Sequence, residues 1–235
     1  SAHRNRRLRR THPNQTVMIF AAPVLIPLLA AALFVLLPPG RAQRAFAGAA
    51  LLAFLASTVQ LLLAVTAAGP QTVVFGGWPL PTGIAFVGDR LSSSLALAVA
   101  VIGCCVWIFS FGDVGRARQE RHFQPLYQFL LAGCTGAFLT GDLFNLYVFF
   151  EILLMGSFVL LVSGRRNAEI EAGVKYVVLN LFGSFLFLVG VGLIYAKTGT
   201  LNLADLSAKM AASEDRFVLL ASGMFLISAF GLKAA

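Results

Sequence analysis

The sequence predicts an all-α fold, a polytopic transmembrane helix bundle, and three observations support this prediction. Hydrophobic residues make up 58% of the 235 residues and charged residues only 12%, whereas soluble domains have about 45–50% and about 25% of these classes. The mean hydropathy is +0.83. Seven apolar stretches reach roughly 20 residues each, the length that crosses a hydrocarbon core about 30 Å thick. These features exclude a soluble enzyme and predict a multi-pass membrane protein.

The spans are predicted near 18–37, 45–66, 91–112, 123–140, 143–163, 174–196 and 217–235. Pro23, Pro27 and Pro125 lie toward the starts of spans, where a missing backbone donor costs least or neighbouring helices compensate for it. The first span is followed by too many further spans to be a cleaved signal peptide. We therefore divide the chain into a basic tail, residues 1–17, and a transmembrane domain, residues 18–235.

Basic residues are distributed unevenly along the chain. Five of the 18 Lys and Arg residues are arginines of the tail, which leaves 13 basic and 10 acidic residues in the rest of the chain. This near balance does not indicate a nucleic-acid binding surface. The loops between spans 1 and 2, 3 and 4, and 5 and 6 carry seven arginines: Arg41, Arg44, Arg116, Arg118, Arg121, Arg165 and Arg166. The loops on the opposite side carry three basic residues: Lys197, Lys209 and Arg216. The positive-inside rule then predicts an outside N-terminus, although the basic tail favours the reverse.

Two segments between the spans have their own local patterns. Residues 67–90 contain the β-prone pieces TVVF and IAFV around a Gly/Pro-rich bend, which predicts a small hairpin outside the membrane. Residues 201–212 have the pattern of a short amphipathic helix along the surface, or simply of a connector. The three cysteines, Cys104, Cys105 and Cys134, lie in apolar runs without CxxC spacing, so we predict no disulfide, metal or cofactor.

Several small or acidic residues have a structural interpretation. Ala132 and Gly136 form a small-xxx-small pattern in the fourth span, and Gly156 and Gly183 are suited to close helix neighbours. Asp89 and Asp142 stand at predicted helix starts, where a carboxylate is favoured by the helix dipole. We expect these residues to serve packing and helix capping.

Glu151 is the one charged residue between Asp142 and Arg165. It is the ninth residue from Leu143, roughly 12 Å into the helix at 1.5 Å per residue, so its carboxylate lies close to mid-membrane. A charge there costs a few kcal/mol unless it finds a partner or water. Two interpretations stay open: a hydrogen-bonded glutamate that joins helices, or a proton or ion relay. The neighbouring Phe149 and Phe150 are expected to keep it dry.

Lys233 offers Glu151 a partner of opposite charge, because it is the one charge after Arg216. At 4 Å and an effective dielectric constant near 20, the attraction is about 4 kcal/mol, enough to change how tightly each group holds a proton. A lysine that extends to the membrane interface is the alternative. Lys175, near the start of the sixth span, suits either an interfacial anchor or a point of proton uptake.

Four strings carry a family resemblance: FQPLYQFLLAGCTGAFLTGDLFNLYVFFEILL (123–154), KYVVLNLFGS (175–184), KTGTLNLADLS (197–207) and FGLKAA (230–235), together with GGWPLPTGI (76–84). They resemble the D subunit of Mrp-type multisubunit Na+/H+ antiporters, over nearly all of residues 18–235. The GDLFN…FFE stretch is the most specific part of the match. The family is related to the antiporter-like membrane subunits of respiratory complex I.

The resemblance implies a fold of about fourteen helices with two inverted five-helix repeats and an outside N-terminus. About seven helices, the N-terminal half, would be present here, and the end of the chain inside an apolar helix fits a truncation within helix seven. It also implies that Glu151 and Lys233 are the functional pair and that Lys175 feeds the proton route. The implied partners are the other Mrp subunits, protons, Na+ and the lipid bilayer of the cell membrane.

The implied function is therefore a transporter subunit, not an enzyme, in which inward proton flow drives Na+ export and Glu151 tunes the proton affinity of Lys233. One alternative is a proton-pumping subunit of a complex I-like or hydrogenase complex. The other alternative, from a different class, is a passive scaffold subunit that holds neighbouring subunits together. Neutralising Glu151 separates the scaffold from the two transport functions.

Overall fold

The computed structural model describes residues 13–38, 40–78, 83–113, 123–163, 167–212 and 216–234. Within these ranges the chain forms α1 (Pro13–Leu36), α2 (Arg41–Ala68), β1 (Gln71–Phe75), β2 (Ile84–Gly88), α3 (Arg90–Asp113), α4 (Phe123–Leu139), α5 (Leu143–Val162), α6 (Asn167–Thr198), α7 (Leu203–Ala212) and α8 (Arg216–Ala234). The predicted all-α helix bundle is confirmed. The tail up to residue 12 and the loop arginines Arg116, Arg118, Arg121, Arg165 and Arg166 lie outside the described residues.

Among the described residues, six helices, α1, α2, α3, α5, α6 and α8, are long and apolar enough to cross a membrane. α1 begins at Pro13, five residues before the predicted start of the first span. The remaining predicted span corresponds to α4, which has 17 residues and is about 25 Å long at 1.5 Å per residue. α4 packs against α1, α3 and α5, so it is the central helix of the first half of the bundle.

The predicted hairpin and surface helix are both present. β1 pairs antiparallel with β2, with Gln71 opposite Gly88 and Phe75 opposite Ile84, and α7 covers most of the segment predicted as an amphipathic helix. Both elements lie where α5 begins, and we call this the hairpin end of the bundle. The opposite end, where α5 ends and α6 begins, is the loop end.

Backbone hydrogen bonds hold the start of α5 between the hairpin and the segment before α7. The Gly141 amide donates to the Ala85 carbonyl at 2.8 Å, and the Leu143 amide donates to the Leu201 carbonyl at 3.0 Å. The Leu203 amide in turn donates to the Gly141 carbonyl at 2.9 Å. This three-way junction fixes the position of the helix that carries Glu151.

Asp142 and Asp89 cap helices, as the sequence predicts. Asp142 Oδ1 accepts a hydrogen bond from the Asn145 amide at 2.9 Å, and Asp89 Oδ1 accepts one from the Ser92 amide at 2.7 Å. The Ser92 amide also holds the pKa of Asp89 below its ordinary value, because a hydrogen bond to the ionised form favours that form. Both carboxylates satisfy amides that the helix itself leaves without a partner.

Glycines allow α4 to approach α5 closely and α6 to approach α8 closely. A Cβ at Gly136 on α4 would overlap the ring of Phe149 on α5, and one at Gly133 would lie 2.9 Å from the backbone nitrogen of Leu153. A Cβ at Gly183 on α6 would lie 3.4 Å from the Cβ of Leu232 on α8. The predicted packing role is confirmed for Gly136 and Gly183.

We predict that Gly136→Ala lowers the thermal stability of the protein in mild detergent, because the ring of Phe149 must move and overpacking a core costs about 1–3 kcal/mol. Gly192→Ala is the matched control, since nothing lies within 4 Å of a Cβ at that helical glycine. The control is expected to unfold at the temperature of the original protein or slightly above it. Equal losses of stability in both variants would contradict the packing account.

Candidate functional site

Glu151, Ser184 and Lys233 meet at the contact of α5, α6 and α8. Ser184 Oγ donates a hydrogen bond to Glu151 Oε1 at 2.5 Å, and Lys233 Nζ donates one to Ser184 Oγ at 2.9 Å. The distance from Lys233 Nζ to Glu151 Oε1 is 4.0 Å. We call these three residues the Glu–Ser–Lys cluster. The structure thus brings the two predicted charges together, with the serine hydroxyl between them.

The cluster is largely enclosed by the three helices. The side chains of Lys233 and Glu151 are 13% and 26% exposed, and Ser184 is 3% exposed. Lys233 directs its ammonium group at Ser184 of α6. Each charge therefore has a partner inside the helix bundle, which offsets the cost of removing it from water.

Ser184 is the site residue that the sequence reasoning missed. A lone serine inside an apolar helix is a weak signal, because its hydroxyl commonly donates to the carbonyl three or four residues earlier in its own helix. The informative signal is positional: Tyr176, Asn180 and Ser184 recur every four residues on α6, which places them on one face. Gly183 beside Ser184 lets α8 approach, so Lys233 reaches the hydroxyl.

An aromatic plug adjoins the cluster on its hairpin side. We define this plug as Phe150, Phe187 and Phe230, whose ring centroids lie 5.7 to 6.0 Å apart in edge-to-face geometry. Lys233 Nζ lies 5.6 Å from the centroid of the Phe150 ring, a distance at which a cation is attracted to an aromatic face. Of the two phenylalanines expected to keep Glu151 dry, Phe150 lies at the cluster.

Phe149 has a different position from the one expected. It packs with Phe20, Phe86 and Leu139 in the core around α1, α4 and the hairpin, and its ring covers Gly136. The reason is the helical geometry of α5, because successive residues are turned by about 100° and face different neighbours. The expectation that Phe149 shields the carboxylate is therefore wrong, and its role is packing.

Lys175 is not brought to the Glu–Ser–Lys cluster. Its Nζ lies 2.6 Å from Glu171 Oε1, and the two side chains are 71% and 69% exposed. This pair is on the part of α6 near the loop end, nine residues before Ser184 along the chain. Among the described residues, no group of His, Cys, Asp and Glu is arranged to hold a metal ion.

The two hydrogen bonds of the cluster are chemically compatible with a proton exchange between Lys233 and Glu151 through Ser184. When the ammonium group gives a proton to Ser184 Oγ, the serine can pass its own proton to the Glu151 carboxylate, which leaves a neutral amine and a neutral carboxylic acid. The reverse transfer restores the ion pair. Neither state has an uncompensated charge in the low-dielectric interior, so small changes in nearby water or charge can select between them.

Comparison with known proteins relates the chain to membrane subunits of ion-translocating complexes. A family model described as NADH:quinone oxidoreductase/Mrp antiporter, transmembrane, matches residues 140–235, which include the whole cluster and Lys175. The D subunit of the Na(+)/H(+) antiporter of Bacillus subtilis is 43% identical over 212 residues, 90% of this chain and 43% of that protein. The D subunit of a probable K(+)/H(+) antiporter of Rhizobium meliloti is 42% identical over 203 residues, 83% of this chain and 37% of that protein.

Solved structures show the same fold. A chain of the Mrp complex from Dietzia sp. DQ12-45-1b superposes with a TM-score of 0.81 and 29% identity, over 93% of this chain and 41% of that chain. A chain of the membrane-bound sulfane sulfur reductase, an archaeal respiratory membrane complex, gives a TM-score of 0.81 and 29% identity over 92% of this chain and 44% of that chain.

The chain spans less than half the length of these relatives. Its resemblance to the D subunit of Mrp-type antiporters is nevertheless confirmed over 90% of its own residues. The chain is a multi-pass membrane protein whose residues 140–235 match the family of NADH:quinone oxidoreductase and Mrp antiporter membrane subunits.

Proposed function

We propose that the chain belongs to a subunit of a multisubunit monovalent cation/proton antiporter, with Na+ as the cation, and that the Glu–Ser–Lys cluster lies on its proton path. The observation that carries this proposal is the serine-bridged contact between Glu151 and Lys233. The named activities of the relatives from Bacillus subtilis and Rhizobium meliloti support the antiporter class. The other subunits of an Mrp complex are the proposed partners.

In this proposal, Glu151 controls how tightly Lys233 holds its proton. An ionised Glu151 stabilises the ammonium form of Lys233 through Ser184, and protonation of Glu151 removes that stabilisation. Inward flow of protons through the cluster would then be coupled to Na+ export, with α1 beginning on the outside. The exposed pair of Lys175 and Glu171 would collect protons at the loop end.

We predict that Glu151→Gln abolishes cation/proton exchange without preventing assembly of the complex, because the amide cannot take up the proton but fills almost the same volume. Exchange is measured as cation-induced proton movement in everted membrane vesicles that contain the full-length protein in its complex. Asp205→Asn is the matched control, since it neutralises a carboxylate that pairs with Lys209 on α7. Normal exchange by Glu151→Gln would contradict the proposal and favour a passive scaffold role.

We predict that Ser184→Ala slows exchange about tenfold or more, because hydrogen bonds to charged groups contribute about 1.5–3 kcal/mol and about 1.4 kcal/mol in a barrier changes a rate tenfold. Ser222→Ala is the matched control: it removes another buried hydroxyl, one that donates to the Leu219 carbonyl of its own helix. The same vesicle assay is used for both. An unchanged rate for Ser184→Ala would show that the two charges communicate without the hydroxyl.

A second candidate function is proton pumping within a complex that is powered by redox chemistry. The observation that favours it is the equal TM-score of 0.81 with a chain of the archaeal sulfane sulfur reductase. In such a complex the same cluster would move protons, so variants of Glu151 do not separate the two functions. Purification of the complex in mild detergent separates the two functions. Co-purification of Mrp subunits alone would support the antiporter, and co-purification of a redox-active partner would support the pump.

A further inference from the structure

A glutamine on α4 has a buried amide group that the protein leaves without a partner. Gln128 is 0% exposed, and neither its Nε2 nor its Oε1 has a hydrogen-bond partner among the residues that the structure describes. Two other buried glutamines, Gln43 and Gln124, do take part in hydrogen bonds. A primary amide in an apolar interior is strongly unfavourable without such partners. Gln128 therefore requires a ligand that these residues do not supply.

Gln128 lies on the side of α4 that faces away from α5. Gly133 approaches the backbone of Leu153 on α5, and Gln128 is turned by about 140° from Gly133 because each helical residue turns by about 100°. Leu139 is turned by only about 20° from Gln128 and packs with Phe20 of α1. The amide therefore faces α1, across α4 from the helix that carries the Glu–Ser–Lys cluster.

A second buried glutamine lies one turn nearer the loop end on the same helix. Gln124 is 3% exposed, and its Oε1 accepts a hydrogen bond from Trp107 Nε1 of α3 at 3.1 Å. A side-chain carbonyl oxygen has two lone pairs, so this atom can accept a further hydrogen bond. Residues four apart on a helix have Cβ atoms about 5–6 Å apart, about the length of two consecutive hydrogen bonds. One water molecule can therefore bridge the two amides.

The charge of this region decides which ligand suits the amide. In the described part of the chain, α1, α2 and α4 contain no acidic residue, and the one acid within α3 is its last residue, Asp113. A cation bound at Gln128 would be an uncompensated charge in the bundle interior, which is strongly unfavourable. A water molecule is neutral and both donates and accepts hydrogen bonds, so it matches the nitrogen and the oxygen of the amide.

We propose that Gln124 and Gln128 form a buried water site on the face of α4 that meets α1 and α3. One water accepts a hydrogen bond from Gln128 Nε2 and donates one to Gln124 Oε1, and a second water donates to Gln128 Oε1. The indole of Trp107, the two amides and the waters then form one hydrogen-bonded network. The site is separate from the Glu–Ser–Lys cluster, so the proposal does not rest on the proposed function.

A density map of the full-length protein in its complex, at a resolution that shows ordered water, tests the site directly. We expect water at about 2.7–3.2 Å from Gln128 Nε2 and from Gln128 Oε1, and one of these waters at a similar distance from Gln124 Oε1. Gln43 is the internal control, because its Nε2 donates to the Phe34 and Leu37 carbonyls at 3.2 and 3.3 Å. We expect no water on that nitrogen.

Three results of this map would overturn the proposal. They are a direct hydrogen bond from Gln128 to another protein atom, an enclosed Gln128 amide without density beside it, and a cation held by oxygen atoms alone. None of these results depends on whether Glu151→Gln abolishes exchange.

The sign of a stability change gives a second test. Methionine has a similar length and volume to glutamine but no amide. If water satisfies the amide, Gln128→Met removes hydrogen bonds and is expected to lower the melting temperature in mild detergent by about 2–4 °C. If the amide is unpaired, the same change removes an unfavourable burial and raises the melting temperature. An unchanged or raised melting temperature would contradict the water site.

A double variant tests the bridge between the two glutamines. Because both amides hold the same water, the losses of stability from Gln124→Met and Gln128→Met are expected to sum to more than the loss in the double variant. Gln43→Met combined with Gln128→Met is the matched control, since Gln43 donates to carbonyls of α1 and of the residue after it. We expect the losses of this control pair to add. Additive losses for Gln124 and Gln128 as well would show that no water joins them.

Discussion

The arrangement of α5, α6 and α8 depends on one contact, in which a carboxylate and an ammonium group neutralise each other through a serine hydroxyl inside the helix bundle. Neither Glu151 nor Lys233 is tolerable there alone, because an uncompensated charge in the bundle is strongly destabilising. The contact requires three helices to come close at one level. Gly183 supplies the close approach of α6 and α8, and the junction at Gly141 and Leu143 sets the height of α5.

The surroundings of this contact differ on its two sides. On the hairpin side lie the aromatic plug and the apolar core that Phe187, Val191 and Ile194 form with Leu206 of α7. On the loop side, Ser157 and Tyr176 share a hydrogen bond of 2.8 Å, and Asn180 Nδ2 donates to the Tyr176 carbonyl at 2.9 Å.

The fold and the two charges could be predicted from the sequence because their signals are local. Long apolar runs predict spans, the TVVF and IAFV pieces predict the hairpin, and isolated charges such as Glu151 and Lys233 stand out against an apolar background. Ser184, the direction of Lys175 and the different roles of Phe149 and Phe150 could not be predicted. These features depend on how each helix is rotated against its neighbours, which single-sequence periodicity does not determine when all faces are apolar.

The central claim, that Glu151 and Lys233 compensate each other, is tested most directly by a double-mutant cycle on thermal stability in mild detergent. Glu151→Gln and Lys233→Met are each expected to destabilise the protein by about 3–5 kcal/mol, because each leaves the other charge without its partner. The double variant is expected to recover most of that loss, which gives a large coupling energy. Losses that simply add in the double variant would contradict the account, since the two side chains would then act independently.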